Sequence, residues 1–363
     1  MNTYSDLLDS IARIVYGHGL SAAADQVRMA ASMALDQLPT MAPWNRYKIL
    51  SRVHINGVVT GKAEWTDGEL VRDGGDWPNW CGNCTIVING WRCQIRAVGG
   101  DTATLSVTPP AHVSGEVSYV LYHDYAKLPD DFIVMDGLHS FDPPLQLEPS
   151  DRCEVYRQYG PQLPGAMPNR FAIESEAEGH AIRLYPPPGQ RLVLDVMYRR
   201  KVVKPVHSGR DAVNTRGTIS TDGTSVTGTG TTFRQDMVGR VLRIGDQYAV
   251  PTGLDGLAPY ADEAVIVSVA SPTSLTLSKS VAKYTDVRYC ITDILDIDDH
   301  MFYLVMALSM QALSQILGKQ IEIDVKAAIR DAQAADARQA GPYGGRDTGG
   351  VRTMYLTARI GGT

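Results

Sequence analysis

Apolar residues at Leu7, Leu8, Ile11, Ile14 and Val15 recur at helical spacing and predict a helix that Ser5-Asp6 caps and Gly17 to Gly19 breaks. A second stripe, Ala24, Val27, Ala31, Ala34, Leu35 and Leu38, predicts a helix over 21–38 ended by Pro39 and Pro43. From about Gly57 the period falls to two, as in Thr85-Ile86-Val87-Ile88 and Val117-Ser118-Tyr119-Val120-Leu121-Tyr122, with Gly and Asp at the turns. The same alternation returns from Gly217. Between the two stretches, Arg170 to Ile173, Ala181 to Tyr185 and Leu192 to Tyr198 read as a β-meander punctuated by Gly179 and Pro186-Pro187-Pro188-Gly189. Helical spacing resumes from about Asp298 to Leu317 (Met301, Leu304, Val305, Leu308, Ala312, Ile316). Gly318 interrupts it, and an Ala-rich helix follows from Ile321 to Ala340, stopped by Gly341-Pro342.

The two β-rich stretches match in order. Asp67-Gly68 falls on Asp222-Gly223, Val71 on Val226, Trp77 on Phe233, and Gly82 on Gly239, which puts Cys84 near Val241. Ile95 to Val98 falls on Ile266 to Val269, Thr104 to Ser106 on Thr276 to Ser278, and Val117 with Tyr119 on Val287 with Tyr289. The second copy carries an extra stretch around Pro251 to Pro259, where a loop tolerates insertion. A duplicated small β-barrel or sandwich is expected.

Composition narrows the classes. At 363 residues and 44% hydrophobic the chain can build substantial cores, and its net charge of −6 provides no basic excess for phosphates. Five cysteines and an N-terminus without a basic, then apolar, leader suit a cytoplasmic chain with reduced thiols. The Met301–Leu317 run carries Ser309, Gln311, Ser314 and Gln315 and reads as a buried helix; no membrane partner is expected.

Candidate chemistry is sparse. Cys81-Gly82-Asn83-Cys84 has zinc-ligand spacing and needs two further ligands, with Cys93, His54 and His123 the local candidates. The repeat offers no matching ligand, so the cysteines are expected to be buried apolar residues. The histidines form no metalloprotease pattern, no serine sits in a nucleophile elbow, and Gly228-Thr229-Gly230 reads as a turn rather than a phosphate loop. Asp130-Asp131 and Asp296, Asp298, Asp299 lack the spacing of a calcium loop and read as solvated turn and helix-start charges. Trp77, Trp80 and Trp91 would either fill a small core or, exposed, form a platform for a sugar or a partner protein. No catalytic, metal or cofactor residue is nominated, and an enzyme is not expected.

The order of elements resembles the head-to-tail adaptor (connector) proteins of tailed bacteriophages, including the tail tubular protein A group. The N-terminal helix pair, Leu128-Pro129-Asp130-Asp131-Phe132, Ile182-Arg183-Leu184-Tyr185-Pro186-Pro187-Pro188, Leu194-Asp195-Val196-Met197-Tyr198-Arg199-Arg200-Lys201 and the apolar helix 298–317 carry the resemblance. The stretch from Gly217 to Arg240 also resembles β-modules of phage tail proteins. The expected fold is α+β. A helical framework with a central β-meander, 1–56 and 125–216 with 294–340, carries inserted modules at 57–124 and 217–293, and a flexible basic arm occupies 341–363. In that arm, alternation at Val351, Thr353, Tyr355 and Thr357 would allow a strand on a neighbour. The resemblance implies a virion protein, assembled in the bacterial host cytoplasm, that forms a homo-oligomeric ring, typically of twelve copies. Its partners would be the portal protein above and tail, nozzle or tail-terminator proteins below. Genomic DNA would pass through the lumen without sequence-specific binding. The alternative is a tail-associated module recognising carbohydrate or a host-surface receptor.

Overall fold

The computed structural model describes residues 2–17, 24–66, 68–111, 113–151, 153–154, 164–165, 167–176, 179–251 and 259–339. The expectations for Gly19 to Ser21, for the insertion between Pro251 and Pro259 and for the arm 341–363 lie outside the described residues. The fold is mixed α+β, and the chain forms two compact units, 1–47 with 201–363, and 48–200. Residues 125–200 therefore cluster with the first β-module.

In the first unit, α1 (Tyr4–Tyr16) begins at Thr3, not at Ser5-Asp6. Thr3 Oγ1 accepts from the Asp6 amide at 3.3 Å while Asp6 Oδ2 accepts from the Thr3 amide at 3.2 Å, a reciprocal box that satisfies two orphan donors. Gly17 ends the helix at φ 73°. The second helix, α2 (Ala24–Met41), runs through Pro39 instead of stopping there. In its last turn the Trp44 indole donates to Leu38 O and Thr40 Oγ1 to Gln37 O, each at 2.8 Å, so this end is held by side chains. A 3₁₀ turn at Asp299–Met301 leads into the apolar α4 (Phe302–Leu317), which Gly318 closes. Before these, α3 (Ala212–Thr215) is a single turn. The last helix, α5 (Val325–Gln339), starts later than Ile321 because Asp324 Oδ1 accepts from the Ala327 amide at 2.9 Å. Leu7, Leu8, Ile11, Leu35, Leu38, Val305 and Leu313, all fully buried, join Trp44, Tyr47 and Ala332 in one core shared by α1, α2, α4 and α5. Each large aliphatic side chain there contributes about 1.5–3 kcal/mol by leaving water. The segment Asp299–Leu317 is long and apolar enough to cross a membrane by length and composition.

The same unit holds β14 (Thr218–Thr229), β15 (Val241–Ile244), β16 (Asp262–Ser271), β17 (Ser274–Val281) and β18 (Tyr289–Thr292), in the order β14-β17-β16-β15-β18. Ile219 and Val287 exchange backbone hydrogen bonds at 2.9 Å each, which brings the start of β14 back beside β18.

In the second unit, six strands close into a barrel: β2 (Val59–Thr66), β3 (Glu69–Arg72), β4 (Thr85–Ile88), β5 (Trp91–Gly99), β6 (Thr102–Leu105) and β7 (Gly115–Tyr122), in the order β2-β3-β6-β5-β4-β7. Two further sheets share a core. One is β1 (Lys48–Ile55), β13 (Leu192–Arg200) and β9 (Phe132–Asp142), and the other is β10 (Glu148–Pro149), β11 (Arg170–Glu176), β12 (Gly179–Tyr185) and β8 (Tyr125–Lys127). The expected meander is thereby corrected, since β12 and β13 are consecutive in sequence yet belong to different sheets. Pro186-Pro187-Pro188 separates them, and prolines cannot donate to a ladder.

The two β-modules have one strand order, with the long β14 standing for β2 and β3 together. Equivalent hydrogen bonds align them residue by residue. Trp77 N donates to Gly100 O at 2.8 Å as Phe233 N does to Pro272 O at 2.9 Å. Asn83 N donates to Ile95 O as Gly239 N does to Ile266 O, both at 2.8 Å, and Ile95 N donates to Cys84 O as Ile266 N does to Arg240 O. Both modules also break register at the same place, between Ile95 and Ala97 and between Ile266 and Ser268. The Ile95, Thr104 and Tyr119 matches stand, and Cys84, expected near Val241, pairs with its neighbour Arg240. Two others shift by one: Gly239 pairs with Asn83 rather than Gly82, and Val226 with Leu70 rather than Val71. The shared requirement at the first position is a left-handed backbone, φ 66° at Asn83 and 82° at Gly239, which asparagine tolerates. A pair of rings is also repeated, Trp77 with Tyr119 (centroids 4.9 Å apart) and Phe233 with Tyr289 (5.7 Å).

Candidate functional site

The cysteine motif is part of the barrel core. Cys81, Cys84 and Cys93 are buried among Leu70, Trp77, Ile86, Ile95 and Leu121. Cys84 Sγ donates to Trp80 O at 3.3 Å, and burial, reinforced by Cys81 and Asp124 nearby, drives its thiol far above the ordinary range. The local nitrogen candidates are engaged elsewhere: His123 Nδ1 accepts from the Asn56 amide at 3.2 Å and its ring stacks on Trp80, while His54 Nδ1 lies 3.5 Å from the Arg191 guanidinium. Trp77 is buried and Trp80 and Trp91 pack partly buried against the same core, so the three rings form no open platform.

A chain of charges joins the second β-module to the helices within its unit. Arg243, on β15, is buried; it bonds both Asp6 oxygens at 2.8 and 2.7 Å, reaches Glu263 at 3.2 Å and lies over the Tyr260 ring. Arg210 grips both oxygens of the buried Asp9, and Arg240 pairs with Asp293. The Asp293 carboxylate also accepts from the His207 amide at 2.9 Å, and Arg28 bridges Ser208 and Asp211 at 3.0 and 2.8 Å. Each cation faces a carboxylate, which suits fastening rather than catalysis.

Of the acidic residues expected to be solvated, Asp130 and Asp299 are exposed, whereas Asp131, Asp296 and Asp298 are half-buried and engaged by partners. Asp296 and Asp298 hold Arg46 at 3.0 and 2.9 Å, and Asp299 accepts from Asn2 at 2.9 Å. Asp131 accepts from the Tyr198 hydroxyl at 2.9 Å. Asp298 meets His300 of the turn it caps and Asp336 of α5: the three residues place one ligand-type atom each within 4.8 Å of one another. Asp336 lies on α5 and is buried; its carboxylate accepts from the Asn45 amide at 3.3–3.4 Å. Both ring nitrogens of His300 are sealed from solvent without a hydrogen-bond partner, and the nearest Asp336 oxygen, at 3.8 Å, is beyond hydrogen-bonding reach. The aspartates at the start of α4 were visible in the sequence. Their partner Asp336 was not, because only the packing of α5 beside the 3₁₀ turn brings it there.

The surface carries apolar residues as well. Leu50 on β1 is 60% exposed beside its antiparallel neighbour Met197 on β13, Phe141 is exposed on β9 of the same sheet, and Met29 and Met33 are exposed one turn apart on α2. No protein-family model and no curated protein matches the sequence.

Proposed function

We propose that this chain is a structural protein of a tailed-bacteriophage virion, an adaptor whose copies form a ring between the portal and the tail. In this reading the helices at both ends make a framework into which the two β-modules are inserted, and the ring sits at the head-tail junction of the particle. It is assembled in the bacterial host's cytoplasm. The portal protein, tail or nozzle proteins and further copies of the chain are its partners, and genomic DNA traverses the lumen.

One observation supports the proposal most. The segments of the second unit that carry the resemblance are far apart in sequence, yet Leu128 and Phe132, Ile182 and Leu184, and Leu194, Val196 and Tyr198 pack together in a single core. The Tyr198 hydroxyl donates to Asp131 of the Leu128–Phe132 segment. The motif residues thus act on one another structurally, as a scaffold shared by adaptors would require. The exposed apolar residues of two separate elements suit head-to-tail contacts between copies, and the acidic balance suits a surface along which DNA slides without adhering. The test is mass photometry and negative-stain imaging of the purified chain with and without portal rings. Ring-shaped complexes on the portal are the expected result, and a strict monomer that never joins a portal would overturn the proposal.

A further inference from the structure

We infer that Asp298, His300 and Asp336 form a binding site for a divalent transition-metal ion of the zinc or manganese class, which fastens α5 to the start of α4. Three features converge. The first is geometric: two carboxylates and an imidazole from two separate elements bring their ligand atoms within 4.8 Å of one another, the compass of a single coordination sphere.

The second is the state of His300. An imidazole whose two nitrogens are both buried and unbonded loses the hydration of a donor and an acceptor with no return. The Asp336 carboxylate lies 3.8 Å from its Nε2, and a carboxylate oxygen of Asp298 lies within 4.8 Å of its ligand nitrogen. A metal ion between the three groups accepts a nitrogen lone pair and bonds both carboxylates at once.

The third is support from the residues behind the ligands. Arg46 donates to Asp298 Oδ1 at 2.9 Å, so the other oxygen is the one to bond the metal, and Arg46 divides its charge with Asp296. Asp336 receives neutral donors, the Asn45 amide on its carboxylate and the Asn45 side chain on its carbonyl at 3.3 Å. Donors of this kind orient ligating carboxylates in metal sites. A divalent ion also supplies the positive charge that one shared guanidinium does not provide for two carboxylates. Binding needs no redox step; any proton on His300 leaves for solvent.

The test uses the full chain. After chelation and dialysis it is titrated with zinc and with manganese by calorimetry, its metal content is measured by mass spectrometry, and cobalt is substituted for spectroscopy. The expected results are stoichiometric binding, a metal-dependent rise in Tm, and a cobalt spectrum with d–d bands but no thiolate charge-transfer band. His300→Asn and Asp336→Asn should each abolish the binding and the rise. Asp298→Asn serves where either variant fails to fold. Absence of saturable binding by the native chain, retention of full binding in the folded variants, or a thiolate band from the cysteines would overturn the proposal. None of these results depends on whether the chain joins a portal.

Discussion

Arg243 and Asp6 form a two-point ion pair, Nη1 to Oδ1 at 2.8 Å and Nη2 to Oδ2 at 2.7 Å, with only 2% of the arginine side chain exposed. The same Asp6 carboxylate closes the capping box at the start of α1. One residue therefore both starts a helix and holds the second β-module to it. Asp6→Ala should destabilise the chain by about 3–5 kcal/mol, because it leaves a buried guanidinium with Glu263 alone for its charge as well as removing a cap. Pairing it with Arg243→Met should recover much of that loss in urea denaturation; an additive double variant would show that the two residues do not act together.

The pair also sets an acid dependence. Burial raises the Asp6 pKa, but the hydrogen bond and charge of Arg243, with Thr3, outweigh it and hold the carboxyl below its ordinary value of 3.8. A carboxyl depressed on folding contributes stability that is present above its unfolded pKa and is lost as pH falls through its folded pKa. Urea midpoints from neutrality down to about pH 3 should fall in the wild type, and less steeply in Asp6→Asn, which cannot take up that proton.

The parts of this fold legible in the sequence were those in which local pattern and packing agree. The spacing of Leu7, Leu8, Ile11 and Val15 marks the buried face of α1, and the repeat found Ile95 and Tyr119 opposite their counterparts because those positions face a module core, with Thr104 and Thr276 each placed by the buried residue before it, Ala103 and Leu275. The shifted matches arose where glycine was taken as the marker of a turn, while the backbone at Asn83 needs only a positive φ. Splitting of β12 and β13 between sheets was illegible, since alternation is the same in either sheet. Asp336 was illegible as a partner of Asp298 because nothing local to either residue encodes the docking of α5.

The repeated ring pairs make a comparative prediction. Phe233 against Tyr289 and Trp77 against Tyr119 occupy equivalent core positions, so truncating either ring should cost about 3–5 kcal/mol locally. Because they lie in different units, hydrogen exchange is the readout. Phe233→Ala should speed exchange across β14–β18 and Trp77→Ala across β2–β7.

Thiol reactivity separates the cysteines. Burial raises Cys81 and Cys84 and pushes Cys93 and Cys290 up to about 12, whereas Cys153 is exposed. Since the thiolate is the reactive species, a disulfide reagent at mildly alkaline pH should modify the native chain quickly at Cys153 alone. Cys153→Ser should remove that fast phase, and denaturant should expose the other four thiols. Fast reaction of the native Cys153→Ser chain would mean that one of the two β-modules opens readily, the first if Cys81, Cys84 or Cys93 is modified and the second if Cys290 is.

Gly217 and Gly239, both in the second β-module, divide backbone conformation from backbone contact. Both have positive φ, 84° and 82°. A Cβ on Gly239 meets nothing within 4 Å, whereas one on Gly217 falls 2.3 Å from Thr229 O and 2.7 Å from the Gly230 carbonyl carbon. Gly239→Ala should therefore cost only the left-handed penalty, about 1–2 kcal/mol. Gly217→Ala adds a clash with main chain, which cannot rotate away as a side chain would, and forces the two ends of β14 apart. Because one unit holds both sites, denaturation of the same transition compares them directly. The midpoint should drop further for Gly217→Ala, and equal drops would mean that the closure of β14 on itself yields without cost.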